Sequence, residues 1–257
     1  MKKNNLTISL MLALLSMAFT FQSCKDDKDD DMPIPTPSTE QLLSFHLHTN
    51  VAGVQANYTN TVVDLTGRKF NISDCRYYIS NIVLIKNDNS EFPITGKVLL
   101  VNPAENEYPL AVVPVGSYKG FRFMMGLDSA TNHSDPTTYG ADNPLSIQSP
   151  GIHWDWNSGY IFFKMEGKVD TTAASTGTPV YDYFYHVGMD DYKRTIDFST
   201  SAFTINSGSD LEIGINFELQ NVLNNVDMRT ENVTHTMDNM MLATKVADNW
   251  QGAFEIE

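Results

Sequence analysis

The sequence predicts an all-β fold, an antiparallel β-sandwich with one or two short peripheral helices. Three observations lead there. Leu211, Ile213, Ile215, Phe217 and Leu219 alternate with Glu212, Asn216 and Glu218, the period-two pattern of a strand with one covered face. Tyr77 to Ile85 is almost continuous in aromatic and aliphatic residues, as a strand covered on both faces reads. Turn chemistry separates such runs at Asp88-Asn89-Ser90, at Ser207-Gly208-Ser209 and along a Thr/Ala/Ser/Gly stretch from Asp170 to Pro179.

In chain order, the first element is an address. Met1-Lys2-Lys3 is a short basic start and Leu10 to Phe21 a mostly apolar run without charge, the layout of a secretory signal too short to span a bilayer comfortably. Phe21-Gln22-Ser23-Cys24, with a small residue before the cysteine, resembles a bacterial lipobox, so residues 1–23 read as a lipoprotein signal peptide and Cys24 as the lipidated first residue. Residues 24–39 carry the acidic run Lys25-Asp26-Asp27-Lys28-Asp29-Asp30-Asp31, then Pro33, Pro35 and Pro37. We read them as a solvated export tag and a stiff tether. The expected anchor is therefore lipid rather than a transmembrane helix, with the protein on the outer membrane and exposed at the cell surface.

Residues 40–257 form the expected folded domain. Phe45-His46-Leu47-His48 opens it as a strand, and further strands are expected at Tyr118 to Met125, Tyr160 to Met165, Tyr181 to His186 and Arg194 to Phe198. From Thr236 onward, Met237, Met240, Met241, Thr244 and Ala247 recur at three-and-four spacing, which predicts a helix; a shorter helical turn is expected near Val222 to Val226. With Cys24 consumed by lipid, Cys75 is left alone, so no intrachain disulfide is expected; beside Arg76-Tyr77-Tyr78-Ile79 it reads as a small buried hydrophobe.

Charge narrows the function. The formal net charge is −14, and removing residues 1–23 takes away Lys2 and Lys3 but no acid, leaving −16. Such a surface repels nucleic acid and favours cations and other proteins as partners. There is no Gly-x-Ser-x-Gly, no His-Glu-x-x-His and no phosphate-cradling glycine loop, so hydrolase and nucleotide-enzyme readings lack support and no enzymatic activity is expected.

The densest chemistry lies in three segments. Asn132-His133-Ser134-Asp135-Pro136, Gly151 to Tyr160 and Tyr185-His186-Val187-Gly188 together hold three of the six histidines and two of the three tryptophans. Imidazole is the usual borderline metal ligand. His46 and His48 leave one face of a strand roughly 6.5–7 Å apart at the backbone and can converge on an ion. His133, on a turn-forming loop, and His186, near a strand end, are the other candidate ligands. His153 is expected to orient the tryptophan loop, and His235 to sit at the surface or in a cap. Trp154 and Trp156 are read as wall aromatics, either of which is the place for oxidation if any tryptophan is modified. Asp135, Asp142 and Asp155 could orient imidazoles, although turn chemistry suffices to explain them. An alternative reading keeps the lipoprotein but makes Trp154, Trp156 and Tyr160 a platform for glycan or protein binding.

The order of these motifs resembles the MbnP-like family of copper-binding proteins, in particular its Bacteroidetes-type lipoprotein members. The likeness is carried by Phe45-His46-Leu47-His48, Tyr77-Tyr78-Ile79-Ser80-Asn81, Pro114-Val115-Gly116-Ser117-Tyr118 and Gly126-Leu127-Asp128. It continues through Asn132 to Pro136, Trp154-Asp155-Trp156-Asn157-Ser158-Gly159-Tyr160, Lys164-Met165-Glu166-Gly167, His186-Val187-Gly188 and the closing Ala247-Asp248-Asn249. The resemblance implies an extracytoplasmic β-sandwich that captures or buffers copper through histidines beside a tryptophan oxidised to kynurenine, with a dihaem peroxidase as partner.

Overall fold

Alternation in the opening segment builds β1 (Glu40–Val51), which buries Leu43, Phe45 and Leu47 completely and turns His46 and His48 outward. The computed structural model describes residues 38–147, 152–154 and 159–257. The signal segment, Cys24, the acidic tag, most of the tether, Asp155 and Trp156 lie outside them.

After β1 come β2 (Val54–Gln55) and β3 (Thr61–Val63), then the long β4 (Lys69–Lys86), β5 (Glu91–Pro93) and β6 (Leu99–Val101). β7 (Glu107–Pro114) and β8 (Gly116–Met125) lead into the single-turn α1 (Ser129–Asn132). The second half holds β9 (Ile161–Val169), β10 (Tyr181–Gly188), β11 (Arg194–Phe198), β12 (Phe203–Ile205) and β13 (Leu211–Glu218). It closes with α2 (Leu219–Val222), β14 (Val233–Thr234), α3 (Met240–Asp248), α4 (Trp250–Ala253) and β15 (Phe254–Ile256).

The strands form two sheets. The smaller runs β15-β13-β1-β2, with β7 also paired to β1; the larger runs β11-β8-β4-β9-β10-β14, with β12 on β8 and β3, β5 and β6 along β4. The expected all-β sandwich is thus the architecture. Two of its pairings, β1 with β13 and β10 with β14, are parallel, and the rest are antiparallel. A parallel neighbour needs a crossover between distant segments, which local turn signals do not report.

Aromatic rings fill the space between the sheets. Phe45 meets Phe121 and Phe123 at ring-centroid distances of 5.4 and 6.0 Å, and Tyr77 meets Phe217 at 4.6 Å. Cys75 is fully buried among them, as expected for an inert core thiol, and burial pushes its pKa far above the ordinary thiol value.

The helices depart in detail from the sequence pattern. α2 starts at Leu219, because the Glu218 carboxylate accepts a hydrogen bond from the Gln220 N–H and caps the turn at the strand end. In α3 the methionines do not form the inner stripe. Met237, Met240 and Met241 are exposed, and Leu242, Ala243, Val246 and Ala247 are buried. Both stripes have helical spacing, and the branched and small residues pack more closely.

Candidate metal centre

The tryptophan loop is closed by a short β-like ladder. Trp154 N–H donates to Gly159 O at 3.1 Å, Ile161 N–H to Ile152 O at 2.6 Å, and His153 bridges Tyr160. The His153 Nδ1 lies 2.8 Å from the Trp154 carbonyl and its ring sits edge-on to Tyr160, so it orients the loop as the sequence suggests. Trp154 itself is only 5% exposed and Tyr160 1%. Such buried rings cannot stack on a sugar, which removes these two residues from the glycan-platform reading.

Asn132 ties this loop to its surroundings. Its side chain is buried, its Oδ1 accepts from the Tyr160 N–H at 2.8 Å, and its Nδ2 donates to Asp190 Oδ1 at 2.8 Å. Asp190 in turn faces His133, with Oδ2 3.5 Å from Nε2. Burial raises the Asp190 pKa, but hydrogen bonds from Ser129 and Asn132 and the charges of His133 and Lys193 outweigh it and hold the carboxyl below its ordinary value.

These groups enclose a cavity of about 220 Å³ walled by His133, Trp154, Gly159, Met189 and Asp190. Met189 adopts φ 74°, ψ 152°, a backbone region that costs a non-glycine residue about 1–3 kcal/mol and persists only where neighbours enforce it. His133, Met189, Asp190 and Trp154 thus line one cavity, residue types that carry imidazole, thioether, carboxylate and indole groups. Met189, Asn132 and Asp190 were not singled out in the sequence. The available signals were weak: Met189 directly follows His186-Val187-Gly188, and Asn132 directly precedes His133.

His186 packs on the indole, 6.0 Å from Trp154 between ring centroids and 4.9 Å from His235. Its Nε2 is held by Glu166 at 2.7 Å, and His235 Nδ1 by Asp238 at 2.8 Å. Burial lowers the His186 pKa and outweighs the opposing pull of Glu166. His235 is thus tied into a turn, as expected, but it also pairs with His186. Glu166 and Asp238 thus hydrogen-bond imidazoles, as Glu107 does at His46, and Asp190 faces that of His133. Asp135 instead accepts from the Thr137 N–H and hydroxyl in its own turn.

His46 and His48 stand elsewhere. Their rings are 4.4 Å apart, and the carboxylates nearest them are Glu107 and Glu212 at His46 and Glu257 at His48. β1 buries Phe45 and Leu47, so these two imidazoles leave the outer face of the smaller sheet. β10 buries Tyr183, Tyr185 and Val187, so His186 leaves the outer face of the larger one. The aromatic core lies between. The four histidines therefore do not all converge on one ion: His46 and His48 leave one outer face and His186 the other, while His133 lines the Trp154 cavity and His186 packs on its indole.

The comparisons with known proteins bear on family and fold. The MbnP family profile matches residues 40–241. No curated protein matches the chain. Among solved structures, MbnP from Methylosinus trichosporium superposes with a TM-score of 0.54 over 75% of this chain and 80% of that one, at 15% identity, a likeness of fold. The profile spans most of the sandwich and includes the tryptophan loop, His133, His186 and Met189, and on that match the chain belongs to the MbnP family.

Proposed function

We propose that this protein is a lipid-anchored, surface-exposed, extracytoplasmic copper-binding protein that captures or buffers the metal and is not itself an enzyme. The observation that carries the reading is the one cavity lined by His133, Met189, Asp190 and Trp154. Imidazole and thioether together suit copper(I), whereas hard cations prefer oxygen alone. Asp190 at His133 supplies the carboxylate partner that fixes a ligating imidazole. The enforced backbone at Met189 is the kind of local strain that accompanies functional positions. When bound, copper would be held by His133 and Met189, with Trp154 closing the wall against water.

Of the two tryptophans among the described residues, Trp154 is the one we assign to oxidation, because it lines the cavity while Trp250 is fully buried in the core; Trp156, the other candidate, lies outside them. A dihaem peroxidase is the partner class we propose for that step, by family. Cys24, the acidic tag and the tether would place the sandwich outside the outer membrane.

Titration of the mature chain with copper(I) against a competing chelator tests the reading. His133→Ala and Met189→Leu are each expected to weaken binding by more than about tenfold, since losing even an orienting partner costs that much. Binding curves identical to the unsubstituted chain would reject the assignment. Peptide mass analysis of protein from its native host checks the second part. Kynurenine formation exchanges one carbon for one oxygen, and an unmodified Trp154 peptide would remove the oxidation from the proposal.

A further inference from the structure

The outer face of the smaller sheet carries a second donor cluster, built from three adjacent strands. His46 on β1 pairs across to Glu107 on β7 and to Gly214 on β13, and Glu212 lies two residues before Gly214 on the same outward face. One ligand atom from each of His46, Glu107 and Glu212 lies within 4.8 Å of the others. Paired strands hold such groups more rigidly than loops do.

A third carboxylate enters because position 214 is glycine. A β-carbon there would meet the Glu257 carboxylate at 2.5 Å and its Cβ at 3.0 Å, so the missing side chain is the room Glu257 occupies. The Glu257 N–H donates to Gly214 O at 3.1 Å, and its Oε1 lies 3.6 Å from His48 Nε2. Three carboxylates and two imidazoles thus share one face. Among the described residues, the only basic side chains paired with Glu107, Glu212 and Glu257 are the two imidazoles. Like charges at this spacing repel unless a cation or a proton lies between them.

We propose that His46, Glu107 and Glu212, with His48 and Glu257 at the rim, form a second site for a first-row divalent cation of the zinc type, independent of the Trp154 cavity. The donors choose the class. Mixed imidazole and carboxylate ligands suit zinc and similar divalent ions, and no thioether is present to favour copper(I). A bound ion would cross-link β7, β1, β13 and the chain segment after β15, joining four parts of the smaller sheet.

Calorimetric titration of the metal-free mature chain with Zn²⁺ alone tests this, with Co²⁺ absorption as a readout of the ligand set. One equivalent is expected to bind. Glu212→Gln and His46→Ala are each expected to weaken it by about tenfold or more and to change the Co²⁺ spectrum. Glu107 and Glu212 are more than half exposed, so Gln at either position leaves the fold intact. The double variant His133→Ala/Met189→Leu should titrate with Zn²⁺ as the unsubstituted chain does, which separates this site from the copper reading. Unchanged isotherms for Glu212→Gln and His46→Ala, or loss of Zn²⁺ binding in the double variant, would overturn the proposal.

Discussion

A β-carbon at position 188 would meet the Tyr160 carbonyl oxygen at 2.6 Å and the Trp154 indole nitrogen at 3.2 Å. The glycine of His186-Val187-Gly188 is therefore the contact that lets the tryptophan loop lie flat on the end of β10. Gly188→Ala is expected to cost about 1–3 kcal/mol by overpacking, read as a lower urea midpoint with an unchanged slope. It should also weaken copper binding, because the wall formed by Trp154 moves. A midpoint equal to that of the unsubstituted protein would show that the loop yields without cost. The motif was visible in the sequence as a cluster of unusual residues. Its reason was not, because Gly188 and Trp154 are 34 positions apart in the chain and meet only when β10 pairs with β9.

α3 shows what an element's own pattern can and cannot specify. Its start is fixed locally, by Asn239 Oδ1 accepting from the Leu242 N–H at 3.2 Å. Its inner face is chosen by the sandwich it packs on. Leu242 is 1% exposed and Met241 84%. Leu242→Ala should cost about 2–5 kcal/mol, as for other buried leucines, whereas Met241→Ala should stay within about 0.5 kcal/mol. Denaturant midpoints for the pair would check this, and equal losses would mean that the methionine face is covered in solution. The histidines of β1 follow the same logic. Alternation showed that His46 and His48 share a face, but it did not show what they face. Glu107 and Glu212 come from strands brought beside β1 by long-range pairings, one antiparallel and one parallel.

Across the whole molecule, the outer face of the larger sheet is joined by a chain of ion pairs. Arg76 Nε donates to Asp74 at 2.8 Å, Lys164 reaches Asp74 at 2.9 Å and Glu166 at 3.0 Å, and Glu166 holds His186. Burial raises the Asp74 pKa, but hydrogen bonds and charges from Arg76 and Lys164 prevail and leave it below the ordinary value. A carboxyl depressed in the folded state stabilises the protein fully above its unfolded pKa of about 3.9 and ceases to do so as pH falls through the folded value. Asp74→Asn should therefore lower stability near neutrality and flatten the acid limb of the stability–pH curve. The same acid limb in both proteins would exclude Asp74 as a source of it. The sequence by itself determined what depends on neighbours in the chain: the strand periods, the turns, the helix near the C-terminus and the tryptophan-rich loop that marks the family. The tertiary structure alone decided which imidazoles share a site, that Met189 and Asp190 stand beside Trp154, and that three distant carboxylates gather around His46. The physical reason is that side-chain direction along a strand follows from local geometry, whereas the partner met across a sheet depends on pairings between segments distant in the chain, such as β1 with β7 and with β13.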